Sequence, residues 1–176
     1  LKNPTSTLRH VKAAHPLPDS NSHHGGRLTL EAAKDLGEQD RALVLVSGGG
    51  SSLLEAPVAG IGLRTIRETT QALLDSGLPI GEMNCVRKHL SRLKGGRLGQ
   101  AIAPANWHTL AVSDVVGDSP ATIASGPTVS DPTTFQDALS ILRKRQFQSR
   151  ASLPTSAMRW LTAGAQGRRL ETPDRF

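Results

Sequence analysis

The residues best placed to do chemistry begin where the apolar run Leu43-Val44-Leu45-Val46 breaks into Ser47-Gly48-Gly49-Gly50-Ser51-Ser52. Gly48, Gly49 and Gly50 have no Cβ, so their backbone N–H groups can approach an anion, and Ser47, Ser51 and Ser52 add hydroxyl donors. A phosphate or a carboxylate suits such a loop; a plain tight turn or helix cap is the competing reading. Downstream, Arg87, Lys88, Arg92 and Lys94 load one segment with positive charge, and Asn84 and His89 stand beside them. On a continuous helix Arg87 and Lys94 share one face. The break Lys94-Gly95-Gly96-Arg97 has the make-up of a backbone nest opening the next helix, where anions bind. A solvated basic face is the alternative. Asp114 and Asp118 follow a second apolar run, where a carboxylate can act as a base or hold Mg²⁺, or merely cap a turn. Ala124-Ser125-Gly126-Pro127-Thr128 is one more loop of small residues, with Ser125 and Gly126 as candidate ligand contacts.

Other chemistries are set aside on spacing. The glycines fit neither Gly-x-x-x-x-Gly-Lys-Ser/Thr nor Gly-x-Gly-x-x-Gly, so a Walker-type loop and a dinucleotide fingerprint are both missing. Ser47-Gly-Gly-Gly-Ser51 is not the Gly-x-Ser-x-Gly elbow of serine hydrolases. His23 and His24 point about 100° apart on a helix, and no Cys or carboxylate cluster completes a metal site.

These residues need a frame. The Leu43–Val46 run reads as a buried strand, covered on both faces as in parallel sheets, and open α/β folds bind ligands at the carboxyl ends of such strands. Leu8–Ala14 reads as a short strand, and His15-Pro16-Leu17-Pro18-Asp19 as an extended loop, since its prolines forbid helix. Helices are expected over His23–Gly37, Leu63–Ser76, Ile80–Leu93, Thr133–Arg145 and Thr155–Ala163, and a second strand over Trp107–Ser113. Gln146–Pro154 is a polar connector. This alternation predicts an α/β fold, a parallel sheet with helices on both faces. Residues 1–165 form the α/β domain, and 166–176 a linker or tail.

Composition bounds the class. The chain has 176 residues, 37% of them hydrophobic, a single Cys, no Tyr, and a net charge of +6 with a pI near 10.2. That charge suits anionic small molecules better than nucleic acid, because aromatic residues able to stack on bases make up only 3%. No apolar run approaches the roughly 18 residues of a membrane span, and the amino end lacks the order of a signal peptide. With no possible internal disulfide, a cytoplasmic protein is the simplest expectation.

Seven motifs then appear in order: His15-Pro-Leu-Pro-Asp19, Ser47-Gly-Gly-Gly-Ser-Ser52, Gly81-Glu-Met-Asn84, Val86-Arg-Lys-His89, Lys94-Gly-Gly-Arg97, Ser113-Asp-Val-Val-Gly-Asp118 and Ala124-Ser-Gly-Pro-Thr128. Together they resemble the glycerate 2-kinase family, some members of which are labelled hydroxypyruvate reductase. The resemblance implies ATP-dependent phosphorylation of D-glycerate to 2-phosphoglycerate with Mg²⁺, in a cleft between a Rossmann-like domain and a MOFRL domain. It implies catalytic roles for Asp114, Asp118, Arg87 and Lys94, with either aspartate as metal ligand. Ser47–Ser52, Asn84, Lys88, Gly95, Gly96, Ser125 and Gly126 would bind substrate or phosphate. Family members also carry an upstream Gly-Lys-Ala motif and a second domain, neither of which is in this sequence. The chain therefore reads as a fragment of a two-domain enzyme, whose missing domain completes the cleft. Hydroxypyruvate reduction, or anion binding without turnover, are the alternative functions.

Overall fold

The computed structural model describes residues 8–144, 147 and 151–175. Two parallel strands, β1 (Arg41–Val46) and β2 (Asn106–Ala111), pair in register from Arg41 opposite Asn106 to Val46 opposite Ala111. Helices α1 (Ser20–Lys34), α2 (Gly50–Leu53), α3 (Leu63–Ser76), α4 (Ile80–Lys88) and α5 (Arg97–Ile102) lie before β2, and α6 (Phe135–Leu142) and α7 (Thr155–Ala165) after it. The α/β class and the parallel pairing are as the sequence predicts.

Local chemistry sets the helix ends. Asp19 accepts from the backbone N–H of Ser22, and the Ser22 hydroxyl accepts from the N–H of Asp19, a capping box that starts α1 three residues before the expected His23. The backbone and hydroxyl donors of Ser22 hold the Asp19 carboxyl below its ordinary value. Thr134 and Asp137 repeat the device at α6. Helix α6 ends at Leu142, whereas the sequence suggests Arg145; that residue, with 146 and 148–150 of the connector Gln146–Pro154, lies outside the described residues.

Two expectations fail. Leu8–Ala14 is not a strand, and its backbone pairs with no other strand among the described residues. The helix expected over Ile80–Leu93 stops at Lys88, because the chain turns to pair with another backbone segment. Val58 donates to Leu90 O, Arg92 donates to Ala56 O, and Pro57 and Ser91 form an antiparallel bridge. Arg87 and Lys94 therefore do not share a helix face.

The core has two parts. Residues from α3, α4, α6 and α7, with Phe135, Leu73, Val86 and Leu161 fully buried, form the larger. Leu30, Ala33, Leu93, Leu98 and Ile102 pack beneath the sheet against Val44 and Trp107. Gly26 lets α1 approach the Glu55 backbone so closely that a Cβ would overlap it. No described residue covers the opposite sheet face fully, and Leu43, Leu45 and Leu110 there are 62%, 71% and 62% exposed. Cover by helices, expected on both faces, is met on one. No helix among the described residues is long and apolar enough to cross a membrane.

Candidate active site

At the carboxyl ends of both strands lies a cleft of ≈ 310 Å³. Gly48, Gly49, Ser51 and Ser52 form its floor, and Asn84 and Arg87 reach it from α4. Asp114 and Val115 enter from beyond β2, and Thr122–Ala124, His15–Pro16, Ile80, and Thr70 and Leu74 of α3 line the remaining sides. The strand-end position anticipated for the glycine loop is the position it has.

Each glycine has a separate job. A Cβ at Gly48 would fall on the carboxylate of Asp114, so glycine is what lets the aspartate lie against the loop. Gly49 opens α2 with φ of +75°, a left-handed geometry unfavourable to other residues. A Cβ at Gly50 would stand 2.8 Å from that of Ala124, so this glycine makes room for the opposite wall.

The serine hydroxyls are occupied by the fold. Ser125, fully buried, donates to Asn84 Oδ1 at 2.9 Å. A hydroxyl has one proton, so the 2.6 Å contact between Ser51 and Ser125 must have Ser51 as donor. Ser52 gives its proton to Pro16 O. The expected hydroxyl donors thus knit the loop to its neighbours, and Ser125 stands behind the cleft wall. Ser47 lines a separate cavity of ≈ 160 Å³, on which Gly50 and Lys94 also border.

The basic residues divide. Arg87 lines the cleft, with Nη2 donating to Ser51 O at 3.1 Å. Burial pushes its guanidinium down from the ordinary value while Glu55 opposes the shift, and an arginine so placed stays a cation. Lys94 is 2% exposed and paired with the equally buried Glu55 at 2.5 Å; Ser91 donates to the other Glu55 oxygen. Burial lowers its affinity for the proton, and Glu55 restores part of it. Lys88 is buried against Asp131 at 3.2 Å. Neither lysine lines the cleft. The expected anion nest is filled from within: Gly95 and Gly96 donate to Ser125 O and Gly126 O, at 3.0 and 2.8 Å.

Asp114 lines the cleft and Asp118 does not; the latter sits at φ of +49° in the exposed loop beyond. Among the described residues no cluster of three or more His, Cys, Asp or Glu could hold a metal ion by itself.

Sequence reasoning missed His15 as a cleft residue and Glu55 as a partner. The signal for Glu55 was a lone carboxylate inside the apolar stretch Leu53–Val58. For His15 it was a histidine placed just ahead of two prolines and the Asp19 cap. The tail, read as a linker, docks at its Glu171–Pro173 stretch. Glu171 bonds His89 and the Phe135 N–H, Thr172 bonds Asp131, and Asp131 N–H donates to Pro173 O.

Residues 1–162 match the family described as Domain of unknown function (DUF4147). A Thermotoga maritima protein named D-glycerate 2-kinase is 45% identical over 150 residues, 85% of this chain and 36% of its own length. An Agrobacterium vitis protein that carries the name hydroxypyruvate reductase is 46% identical over 161 residues, 92% of this chain and 41% of its own. The crystal structure of a Pyrococcus horikoshii OT3 protein superimposes with a TM-score of 0.86 at 42% identity, covering 94% of this chain and 37% of that one. The chain thus spans about two fifths of the length of the relatives it matches. The resemblance drawn from the seven motifs holds over most of the sequence, and the chain belongs to the DUF4147 family.

Proposed function

We propose that this chain is the substrate-holding part of a kinase that transfers the γ-phosphoryl group of ATP to the 2-hydroxyl of D-glycerate. A second domain would complete the cleft, as the greater length of the relatives suggests. One observation carries the reading. A carboxylate, a guanidinium and a stretch of backbone free of side chains converge on one strand-end cleft, through Asp114, Arg87 and Gly48–Gly49. Phosphoryl transfer asks a protein chiefly for positioning and charge neutralisation, and these groups supply both.

Arg87 would neutralise the substrate carboxylate or the transferring phosphate, held at its depth by Ser51 O. Among the described residues, Asp114 is the one carboxylate that lines the cleft. Mg²⁺ in kinase sites is held by one or two carboxylates together with substrate phosphates and waters, so this donor set fits a nucleotide-borne ion rather than an all-protein cage. Asp114 would hold that ion, which when bound would supply neutralisation of phosphate charge. Asp118 has no part in this assignment. The single Cys85 is buried, which fits a reducing compartment such as the cytoplasm.

The experiment is a coupled assay of ADP release in the polypeptide extended to the length of its relatives, with ATP and D-glycerate supplied. Phosphorylation at the 2-position is expected, with Asp114→Asn lowering kcat/KM on the order of 100-fold or more. Hydroxypyruvate-dependent oxidation of a nicotinamide cofactor without phosphorylation would replace the kinase reading with a reductase. Tight glycerate binding without turnover would leave an anion-binding domain.

A further inference from the structure

His15 reaches the cleft from a loop tied down on both sides. Ser52 donates to Pro16 O, Arg67 Nη1 donates to Pro18 O at 2.7 Å, and Asn21 Nδ2 donates to Lys12 O at 2.8 Å. Asp19 closes the loop in its capping box with Ser22. Pro16 and Pro18 remove further backbone freedom. The ring, by contrast, is exposed and has no hydrogen bond or ion pair among the described residues. It also touches the glycine loop: Cδ2 and Nε2 lie 3.3 and 3.6 Å from where a Cβ would stand at Gly49. Asp114 lies against Gly48, the preceding residue. A fixed backbone thus presents an unengaged imidazole in the cleft that Asp114 also lines, where catalytic groups are held on supporting contacts.

We propose that His15 is a catalytic residue of this cleft, whose imidazole takes the proton of the acceptor hydroxyl as the phosphoryl group arrives. This rests on the kinase reading above. In the step, the substrate O–H bond breaks and its proton goes to a ring nitrogen of neutral His15. The freed electron pair of that oxygen forms the bond to the γ-phosphorus. The bond from the γ-phosphorus to the β–γ bridging oxygen breaks, and its electrons leave with ADP. The imidazolium then returns the proton to water, to which the ring is open. Of the side chains available, imidazole is the one suited to gain and lose a proton near neutral pH, whereas Arg87 keeps its charge throughout. Asp114 would be left to hold the nucleotide-borne metal ion. The charged groups nearest the His15 loop are Asp114 and Arg87 in the cleft, Asp19 on the loop itself, and Arg67 of α3, which donates to Pro18 O.

The test compares wild type, His15→Gln, His15→Ala and Asp114→Asn in the extended polypeptide, with kcat/KM followed against pH. Wild type is expected to gain rate with rising pH along a one-proton limb. His15→Gln should lose that limb and fall on the order of 100-fold. Added imidazole should restore part of the rate to His15→Ala and none to Asp114→Asn. Rates within twofold of wild type with the limb intact would overturn the proposal, and so would a loss that imidazole does not rescue. A wild type that binds but does not phosphorylate D-glycerate overturns the kinase reading instead. His15 is then judged separately by NMR of this chain. Its ring C–H signals, assigned by their disappearance in His15→Gln, should shift on addition of ATP or D-glycerate, and unmoved signals in a ligand-bound chain refute the contact.

Discussion

Gly48 and Asp114, 66 positions apart in the chain, occupy adjoining space such that the methyl group of an alanine at 48 would force the carboxylate at 114 to move. Gly48→Ala should therefore displace Asp114 and act as an indirect Asp114 variant. We expect kcat/KM of the extended polypeptide to fall on the order of 100-fold, with little change in melting temperature, because residue 48 lies outside the buried core. An active Gly48→Ala protein would show that Asp114 need not stand against the loop.

The two cations once expected to act together should separate cleanly. Arg87→Ala should lower kcat/KM strongly, and Lys94→Met should chiefly lower stability. Removing one partner of a buried pair typically costs about 3–5 kcal/mol, since the other charge is left uncompensated. Urea unfolding of Lys94→Met, of Glu55→Leu and of the double variant measures this. The double change should cost less than the sum of the singles.

Cys85 sets an alkaline limit. Burial pushes its thiol up to about 11, from an ordinary value of 9.0. Below pH 9 the folded and unfolded chains both keep this proton, and its effect on stability is flat. Between pH 9 and 11 the unfolded chain loses it first, so stability declines with rising pH, by about 3 kcal/mol over the two units. Cys85→Ala should flatten that part of the pH profile in chemical denaturation. Labelling of the native thiol by a soluble reagent should stay slow at pH 8, where the buried sulfur is both protonated and covered.

Gly164 sits where α7 crosses Phe135, and a Cβ there would overlap the ring. Phe135 is fully buried and has no room to yield. Gly164→Ala should destabilise by about 1–3 kcal/mol through overpacking, against the usual gain from replacing a helical glycine. A higher melting temperature would show that the α6–α7 contact is loose.

What could be read from the residues followed from local rules. The run Leu43–Val46 ends in glycines, and the strand and its loop stand where that pattern puts them. The stop of α4 at Lys88 could not be read, because the apolar spacing of Met83, Val86, Leu90 and Leu93 continues past it. The cause is pairing with residues 56–58, some thirty positions away. The same long-range contact brings Glu55 to Lys94 and removes that lysine from the cleft. The apparent nest at Gly95–Gly96 failed for a similar reason, since its donors are taken by carbonyls 30 residues downstream. The loop of His15 was legible as rigid, but the direction of its ring depended on where Gly49 would lie.

The run Ala124-Ser125-Gly126 has three consecutive left-handed residues, at φ of +50°, +62° and +59°. Conformations of this kind cost a non-glycine residue of order 1 kcal/mol each, and here they aim two carbonyls at Gly95 and Gly96. The consequence is kinetic. Those two glycine amides sit in an irregular turn, where exchange with deuterated solvent is ordinarily fast. Yet neither can be released unless the segment at 124–126 lifts away and pulls on Ser51 and Asn84 as well. Their protons should persist as long as those of the interior helices, making two of the most flexible residues in the sequence a clock for opening of the whole cleft wall.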